Sequence, residues 1–146
     1  MRWPTILAGA LLLWGAVPAS VSAQDRSSLN DFVGRVAQLW ERGDASALVE
    51  LSAGERILLD LGETSGTAEP RHAAAMLRSL FSERESVSAR ARGASTAGGN
   101  PPRGFGEVEW LSRGRGVSSP RRHTIYVGAV WRGGWKIQEL RLLGSG

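Results

Sequence analysis

The spacing of apolar residues changes along this chain, and the change limits the folds open to it. Before residue 84, most apolar side chains recur every third or fourth residue, which places them on one side of a helix. After residue 84, apolar and polar residues alternate, which is typical of strands with one buried face. Helices followed by consecutive strands indicate an α+β fold, in which an antiparallel sheet packs on N-terminal helices.

The predicted helices have recognisable ends. The first covers residues 28–42 and ends at Gly43, and Asp44 caps a short second helix over residues 45–51. A strand is predicted at residues 55–62, followed by a loop over 63–70. Pro70 suits the first turn of a third helix, where no amide hydrogen is needed.

Four strands are predicted after the third helix. They include residues 87–94, 105–111 and 123–131, and the last strand begins near Trp135. The Gly- and Pro-rich residues 95–104 predict a long, mobile loop. Gly133 and Gly134 allow the positive φ angles of a tight hairpin turn. The expected order is therefore α-α-β-α-β-β-β-β.

The first 23 residues have the pattern of an export signal. A positive start is followed by an apolar run at residues 6–17, and small residues occupy positions 21–23. The run is about a dozen residues long, whereas a membrane-spanning helix needs roughly 20. We expect a mature bacterial protein of residues 24–146, secreted or periplasmic, with no membrane span once the signal is removed. A retained anchor is the alternative.

Composition excludes several kinds of site. The chain contains no cysteine, so it has no disulfide, no thiolate metal site and no cysteine nucleophile. Its net charge of +4 is uneven, because 11 basic and 4 acidic residues follow residue 83. A basic half can bind nucleic acid. The export signal argues against that partner, and a solvated sheet face is the simpler interpretation.

Two segments, ERGDASALVEL at residues 41–51 and GGWKIQEL at residues 133–140, give the chain a resemblance to a known superfamily. Together with the order of elements, they resemble nuclear transport factor 2-like proteins, especially small secreted bacterial members without an assigned function. The resemblance covers residues 29–143. It implies a single cone-shaped, cystatin-like domain at residues 24–146, with a curved sheet and a cavity at its wide end. The superfamily includes isomerases, dehydratases, hydrolases, ligand binders and dimerisation modules, so the fold does not choose a function.

Few residues could carry chemistry in such a cavity. Glu107 and Glu109 share one side of a strand, and neighbouring carboxylates can raise a pKa enough to make a base. Pairing with arginines across the sheet is the simpler interpretation. Asp60 and His72 are the other candidates for acid–base work. The histidines and carboxylates lack the spacing of metal ligands, and we expect neither a metal nor another cofactor.

Two further groups of residues suggest binding. Aromatic residues are candidates to line an apolar pocket: Trp40, Trp110, Tyr126 and Trp131. Arginines around the turn at residues 112–122 are candidates for an anionic surface: Arg113, Arg115, Arg121 and Arg122.

Three functions are compatible with these features. The first is non-catalytic binding of a small apolar ligand or a protein partner, with a homodimer through the sheet face implied by the resemblance. The second is a cofactor-free acid–base enzyme, an isomerase, dehydratase or hydrolase acting on a small hydrophobic substrate, with Glu107 or Asp60 as base. The third is docking on anionic envelope polymers. Whether the chain is an enzyme stays open at this point.

Overall fold

The computed structural model describes the backbone of residues 23–144 and the side chains of residues 28–144. Helices precede most of the strands, as predicted, and the α+β class is confirmed. The elements along the chain are α1 (Ala23–Glu41), α2 (Ala45–Glu50), β1 (Ile57–Asp60), β2 (Ser65–Ala68), α3 (Pro70–Glu83), β3 (Arg84–Ala97), β4 (Arg103–Gly114), β5 (Arg121–Trp131) and β6 (Trp135–Leu143).

Local sequence accounts for the helix ends. Gly43 has a φ of 65° and ends the first helix, and the Asp44 side chain accepts a hydrogen bond from the Ala47 amide at 3.1 Å. Pro70 opens α3, where its missing amide hydrogen costs nothing. The turn between α1 and α2 therefore forms as the sequence predicted.

The strands of residues 23–144 form one six-stranded sheet in the order β2-β1-β6-β5-β4-β3. The expectation of a purely antiparallel sheet is wrong, because β1 and β6 run parallel, with Leu59 opposite Leu140. The first strand and the last are thereby brought together in the interior of the sheet.

The prediction of a loop over residues 63–70 is also wrong, because residues 65–68 form β2. The strand has no apolar alternation, and its first three residues, 65–67, are exposed. Backbone pairing with β1, rather than burial, therefore stabilises β2. The loop predicted at residues 95–104 is shorter than expected. Residues 95–97 and 103–105 pair with each other as parts of β3 and β4, which leaves a turn of residues 98–102.

One face of the sheet, the inner face, is covered by α1 and α3. The glycines of β4 let α1 approach closely: a Cβ atom at Gly104 would come within 2.8 Å of Leu29, and one at Gly106 within 2.4 Å of Val33. Val108 and Trp110 continue the same buried side of β4. The opposite side of the sheet is the outer face.

Three aromatic side chains fill the space between the helices and the inner face. The Trp40, Phe81 and Trp110 rings pack edge to face, with centroids separated by 5.2 to 6.3 Å. The Trp110 Nε1 donates a hydrogen bond to the Ser86 Oγ at 2.8 Å, which fixes the ring. We call these three residues the aromatic cluster.

An aromatic pair, separate from the aromatic cluster, lies at the turn of the β5–β6 hairpin. Trp131 and Trp135 are directly opposite each other across the strands, and their ring centroids are 5.3 Å apart. Trp135 is buried in the core, and its Nε1 donates to the Ser28 Oγ at 3.1 Å. This hairpin therefore fastens the end of the sheet to the start of α1.

Within residues 23–144, no helix has the length and apolar character needed to cross a membrane. The export signal expected at residues 1–23 lies, except for Ala23, outside the described residues. Export and the mature start at Gln24 therefore stay predictions.

Candidate functional site

A groove of about 530 Å³ lies between α3, the turn after β1 and the end of β6. We call it the α3 groove. One side of α3, which includes Leu77, is buried, and the neighbouring side of the helix faces outward and forms one wall of the groove. The β1–β2 turn forms its far wall and is fixed by a hydrogen bond from the Leu61 amide to the Thr64 carbonyl, 2.9 Å long. Its apolar lining includes Leu61, Ala75, Met76, Leu80 and Leu142.

Four ionisable side chains also line the α3 groove. His72 and Glu63 lie near the N-terminal end of α3 and are exposed, and Glu83 is exposed near its C-terminal end. Arg84 is half-buried, and its Nε donates a hydrogen bond to the Oγ of the buried Ser112 at 2.9 Å. The groove therefore has an apolar lining and one arginine held in place by the sheet.

His123 lies on the inner face beside this end of the groove. Directly opposite Trp110 in the sheet, it packs its ring against the indole with centroids 5.6 Å apart. The imidazole Nε2 is buried and has no hydrogen-bond partner among the described residues. Burial lowers the pKa of His123 below its usual 6.5, and the charges of Arg84 and Arg121 lower it further.

This lowered pKa makes stability depend on pH. Between pH about 6.5 and the folded pKa, the unfolded chain binds more protons at residue 123 than the folded protein does. The contribution of His123 is therefore complete above pH about 6.5 and is lost as the pH falls through the folded pKa. Urea unfolding over this range should show a smaller acid loss of stability for His123→Gln than for the parent protein. Parallel pH curves for the two proteins would contradict the assignment.

The candidate acid–base residues do not form one site. Asp60 and Glu107 lie on the outer face in one row across the sheet, separated by β6 and β5, and are therefore about 14 Å apart. His72 is on α3, on the other side of the sheet. Residues 28–144 contain no group of three or more histidine, aspartate or glutamate side chains that could hold a metal ion.

Of the two carboxylates of β4, Glu109 follows the simpler interpretation given above. Glu109 forms ion pairs with Arg92 and with Arg122, the latter at 3.4 Å. Glu107 is exposed on the same outer face. The outer face therefore does not place a base inside the fold.

The aromatic candidates do not line one pocket, contrary to expectation. Trp40 and Trp110 are 0% exposed and belong to the aromatic cluster, so they occupy the interior rather than border an opening. Trp131 packs on its hairpin partner. Tyr126 is on the outer face, against Phe105 at 5.7 Å, where a shallow depression of about 320 Å³ also includes Glu107.

The four arginines expected to form an anionic surface are divided between environments. Arg122 is paired on the outer face, and Arg113 lies 3.7 Å from Glu85. The Arg115 Nε donates to the Ser82 carbonyl. Arg121 is opposite the inward-facing Ser112 and so belongs to the inner face. The four side chains do not present one continuous basic patch.

Sequence reasoning did not single out His123 as an inward-facing residue. Its side chain has the same parity as Ile125 and Val127, both fully buried on the inner face. The alternation along β5 could therefore have placed His123 on the inner face. Arg84 had no comparable signal, because its importance depends on contacts with residues distant in the chain.

Comparisons with known proteins show the fold of the chain. No protein-family model matches it, and no curated protein matches it either. Solved structures are similar, among them a DUF4783 family protein from Bacteroides uniformis with a TM-score of 0.62 and 15% identity, over 76% of this chain and 94% of that one.

Two other similar structures carry fold names. One is a domain of unknown function with a cystatin-like fold from Nostoc punctiforme, with a TM-score of 0.60 and 14% identity, covering 84% of this chain and 78% of that one. The other is an NTF2-like protein with a cystatin-like fold from Novosphingobium aromaticivorans, with a TM-score of 0.56 and 17% identity, covering 82% and 81%. At this identity the likeness concerns the fold alone, and it confirms the nuclear transport factor 2-like, cystatin-like architecture expected from the sequence.

Proposed function

We propose that this nuclear transport factor 2-like domain binds a small, largely apolar molecule in the α3 groove. The observation that carries the proposal is the groove itself. Its volume of about 530 Å³ is within the range usual for ligand pockets, roughly 300–1,000 Å³. Its lining combines leucine and methionine side chains with polar side chains, among them the four ionisable ones described above.

The aromatic cluster supports this location. Trp40, Phe81 and Trp110 occupy the interior in which a closed cavity would otherwise lie, and two of these side chains are fully buried. The α3 groove, at the edge of that helix, remains open to a ligand and is larger than the depression beside Tyr126. A ligand there would contact Met76 and Leu142, which are only partly buried by the protein itself.

A cofactor-free acid–base enzyme is the second candidate, and one observation favours it. His72 lines the α3 groove and could exchange a proton with a bound substrate. The carboxylates proposed as bases are on the outer face, so such an enzyme would have to use His72 with Glu63 or Glu83. Binding without chemistry requires fewer groups and is the better-supported function.

Filling the α3 groove tests the proposal. Ala75 is exposed and lines the groove, so Ala75→Trp adds bulk there without disturbing the core. We expect the parent protein to bind octanoate, 1-octanol or both, and Ala75→Trp to bind at least about tenfold more weakly, or about 1.4 kcal/mol. Isothermal titration calorimetry measures both affinities.

Arg71→Trp is the matched control, because it places the same side chain on an exposed position of α3 outside the groove. It should bind as the parent does. Absence of binding by the parent, or equal binding by Ala75→Trp, would contradict the proposal. Native mass spectrometry of the same samples gives the oligomeric state, which tests the homodimer proposed through the outer face.

A further inference from the structure

We infer that the α3 groove selects a ligand in which an apolar chain ends in a carboxylate, and that Arg84, Arg121 and His123 hold the carboxylate. This inference rests on the proposed function, because it specifies the ligand of the same groove. The apolar lining of the groove would contact the ligand's hydrocarbon chain, and the end of the groove near β3 would bind its carboxylate.

The three residues come together at one end of the inner face. Arg84 lines the groove and donates from Nε to the Ser112 Oγ. Arg121 is directly opposite Ser112, and His123 follows two residues later on the same side of β5. Since guanidinium groups bind planar carboxylates through paired hydrogen bonds, two arginines here offer a suitable end for an acid.

Arg84 and Arg121 also lack the glutamate partners that several other arginines have. Among residues 28–144, glutamates form ion pairs with Arg56, Arg92, Arg113, Arg122, Arg132 and Arg141. Within the described part of the chain, no such pair involves Arg84 or Arg121. A guanidinium has five N–H donors, and Arg84 uses one of them on Ser112, so the others are available to a ligand.

The orphan nitrogen of His123 supports the same location. Buried polar atoms normally have a hydrogen-bond partner, and the Nε2 atom has none among the described residues. A carboxylate oxygen would accept a hydrogen bond from Nε2 when that atom carries the proton. Both neighbouring charges that shift the pKa of His123 are positive, Arg84 and Arg121, so the local potential favours an anion.

The groove also contains two carboxylates, one near each end of α3, so the glutamates do not by themselves set the orientation of the ligand. Glu63 is in the β1–β2 turn with His72 nearby, at the N-terminal end of α3. Glu83 is exposed near the other end, and neither glutamate contributes to the shift at His123. The helix between His72 and Glu83 rises roughly 16 Å, which exceeds the length of an eight-carbon chain. Because two arginines lie at the β3 end, we expect the acid to point toward Arg84 and Arg121 and the chain to extend past Leu80 and Met76.

Octanoate and 1-octanol test the inference because they share the chain and differ in the end group. We expect the parent protein to bind octanoate at least about tenfold more tightly, as removing a charge-assisted hydrogen bond costs about that factor. Arg121→Gln should remove most of this preference while leaving the affinity for 1-octanol unchanged. Arg84→Gln and His123→Gln should reduce the preference as well. Calorimetry at low and raised salt measures each affinity.

Arg90→Gln is the matched control, since Arg90 lies on the outer face opposite Glu109 and is exposed. It removes the same charge and should retain the preference for octanoate. The Arg121 side chain is exposed and forms no hydrogen bond or ion pair within the described residues, so we expect Arg121→Gln to fold, which keeps the test decisive if Arg84→Gln is unstable.

The outcomes separate this inference from the function on which it rests. Equal affinities for octanoate and 1-octanol, both lost in Ala75→Trp, would overturn the inference and leave the groove as a binding site. A preference for octanoate that persists in Arg121→Gln and Arg84→Gln would also overturn it. Binding of neither compound by the parent protein would overturn the proposed function, and the inference with it.

Discussion

Trp110→Ala is expected to lower the free energy of unfolding by about 3–5 kcal/mol, the usual cost of removing a large buried aromatic side chain. Trp110 is 0% exposed, packs edge to face on Trp40 and Phe81, and donates a hydrogen bond to Ser86. The substitution removes all of these contacts and leaves a cavity that the surrounding helices cannot fully close. Urea denaturation followed by tryptophan fluorescence and circular dichroism measures the change.

Trp131→Ala is the matched control for this substitution. Trp131 is only partly buried and contacts Trp135 at the hairpin turn, so its loss should cost clearly less than that of Trp110. Trp110→Phe retains a ring in the cluster and should recover part of the lost stability. Equal losses for Trp110→Ala and Trp131→Ala would show that the aromatic cluster is not the centre of the core.

Gly106→Ala is expected to lower the free energy of unfolding by about 1–3 kcal/mol, the usual cost of overpacking a core. A Cβ atom at this position would lie 2.4 Å from the Val33 Cγ2, much closer than van der Waals contact. The added methyl group must therefore push α1 away from the sheet or force Val33 out of its rotamer. Thermal and urea unfolding both report the change.

Gly93→Ala provides the opposite case in the neighbouring strand. Gly93 is exposed, and a Cβ atom there would have no heavy atom within 4 Å. Because alanine also restricts the unfolded chain more than glycine does, this variant should be as stable as the parent or slightly more stable. If both glycine substitutions had the same effect, the close approach of α1 to β4 would not be what limits position 106.

The helices and most strands were predictable because their signals are local. The apolar stripe of α1, the cap at Asp44 and the proline at position 70 each act within a few residues. The β2 strand was missed because Ser65, Gly66 and Thr67 carry no alternation, and its pairing with β1 depends on the backbone alone. The parallel pairing of β1 with β6 joins residues 81 positions apart and has no local signal.

The candidate site was less predictable than the fold for the same reason. Alternation along β4 separates Glu107 from Val108 but does not say which side α1 will cover. That choice follows from Gly104 and Gly106, where the missing side chains admit the helix. Once the inner face is known, the inward position of His123 follows, whereas the contact of Arg84 with Ser112 still required the assembled sheet.

The position of β6 has a consequence for the order in which the molecule assembles. Since β6 separates the β1–β2 hairpin from the remaining three strands, that hairpin has no place in the sheet until the C-terminal strand arrives. Contacts between such distant segments slow folding, because the intervening chain must close a long loop first. During synthesis, α1 and β1 are therefore expected to keep apolar surface exposed until β6 has been made and can pair with β1.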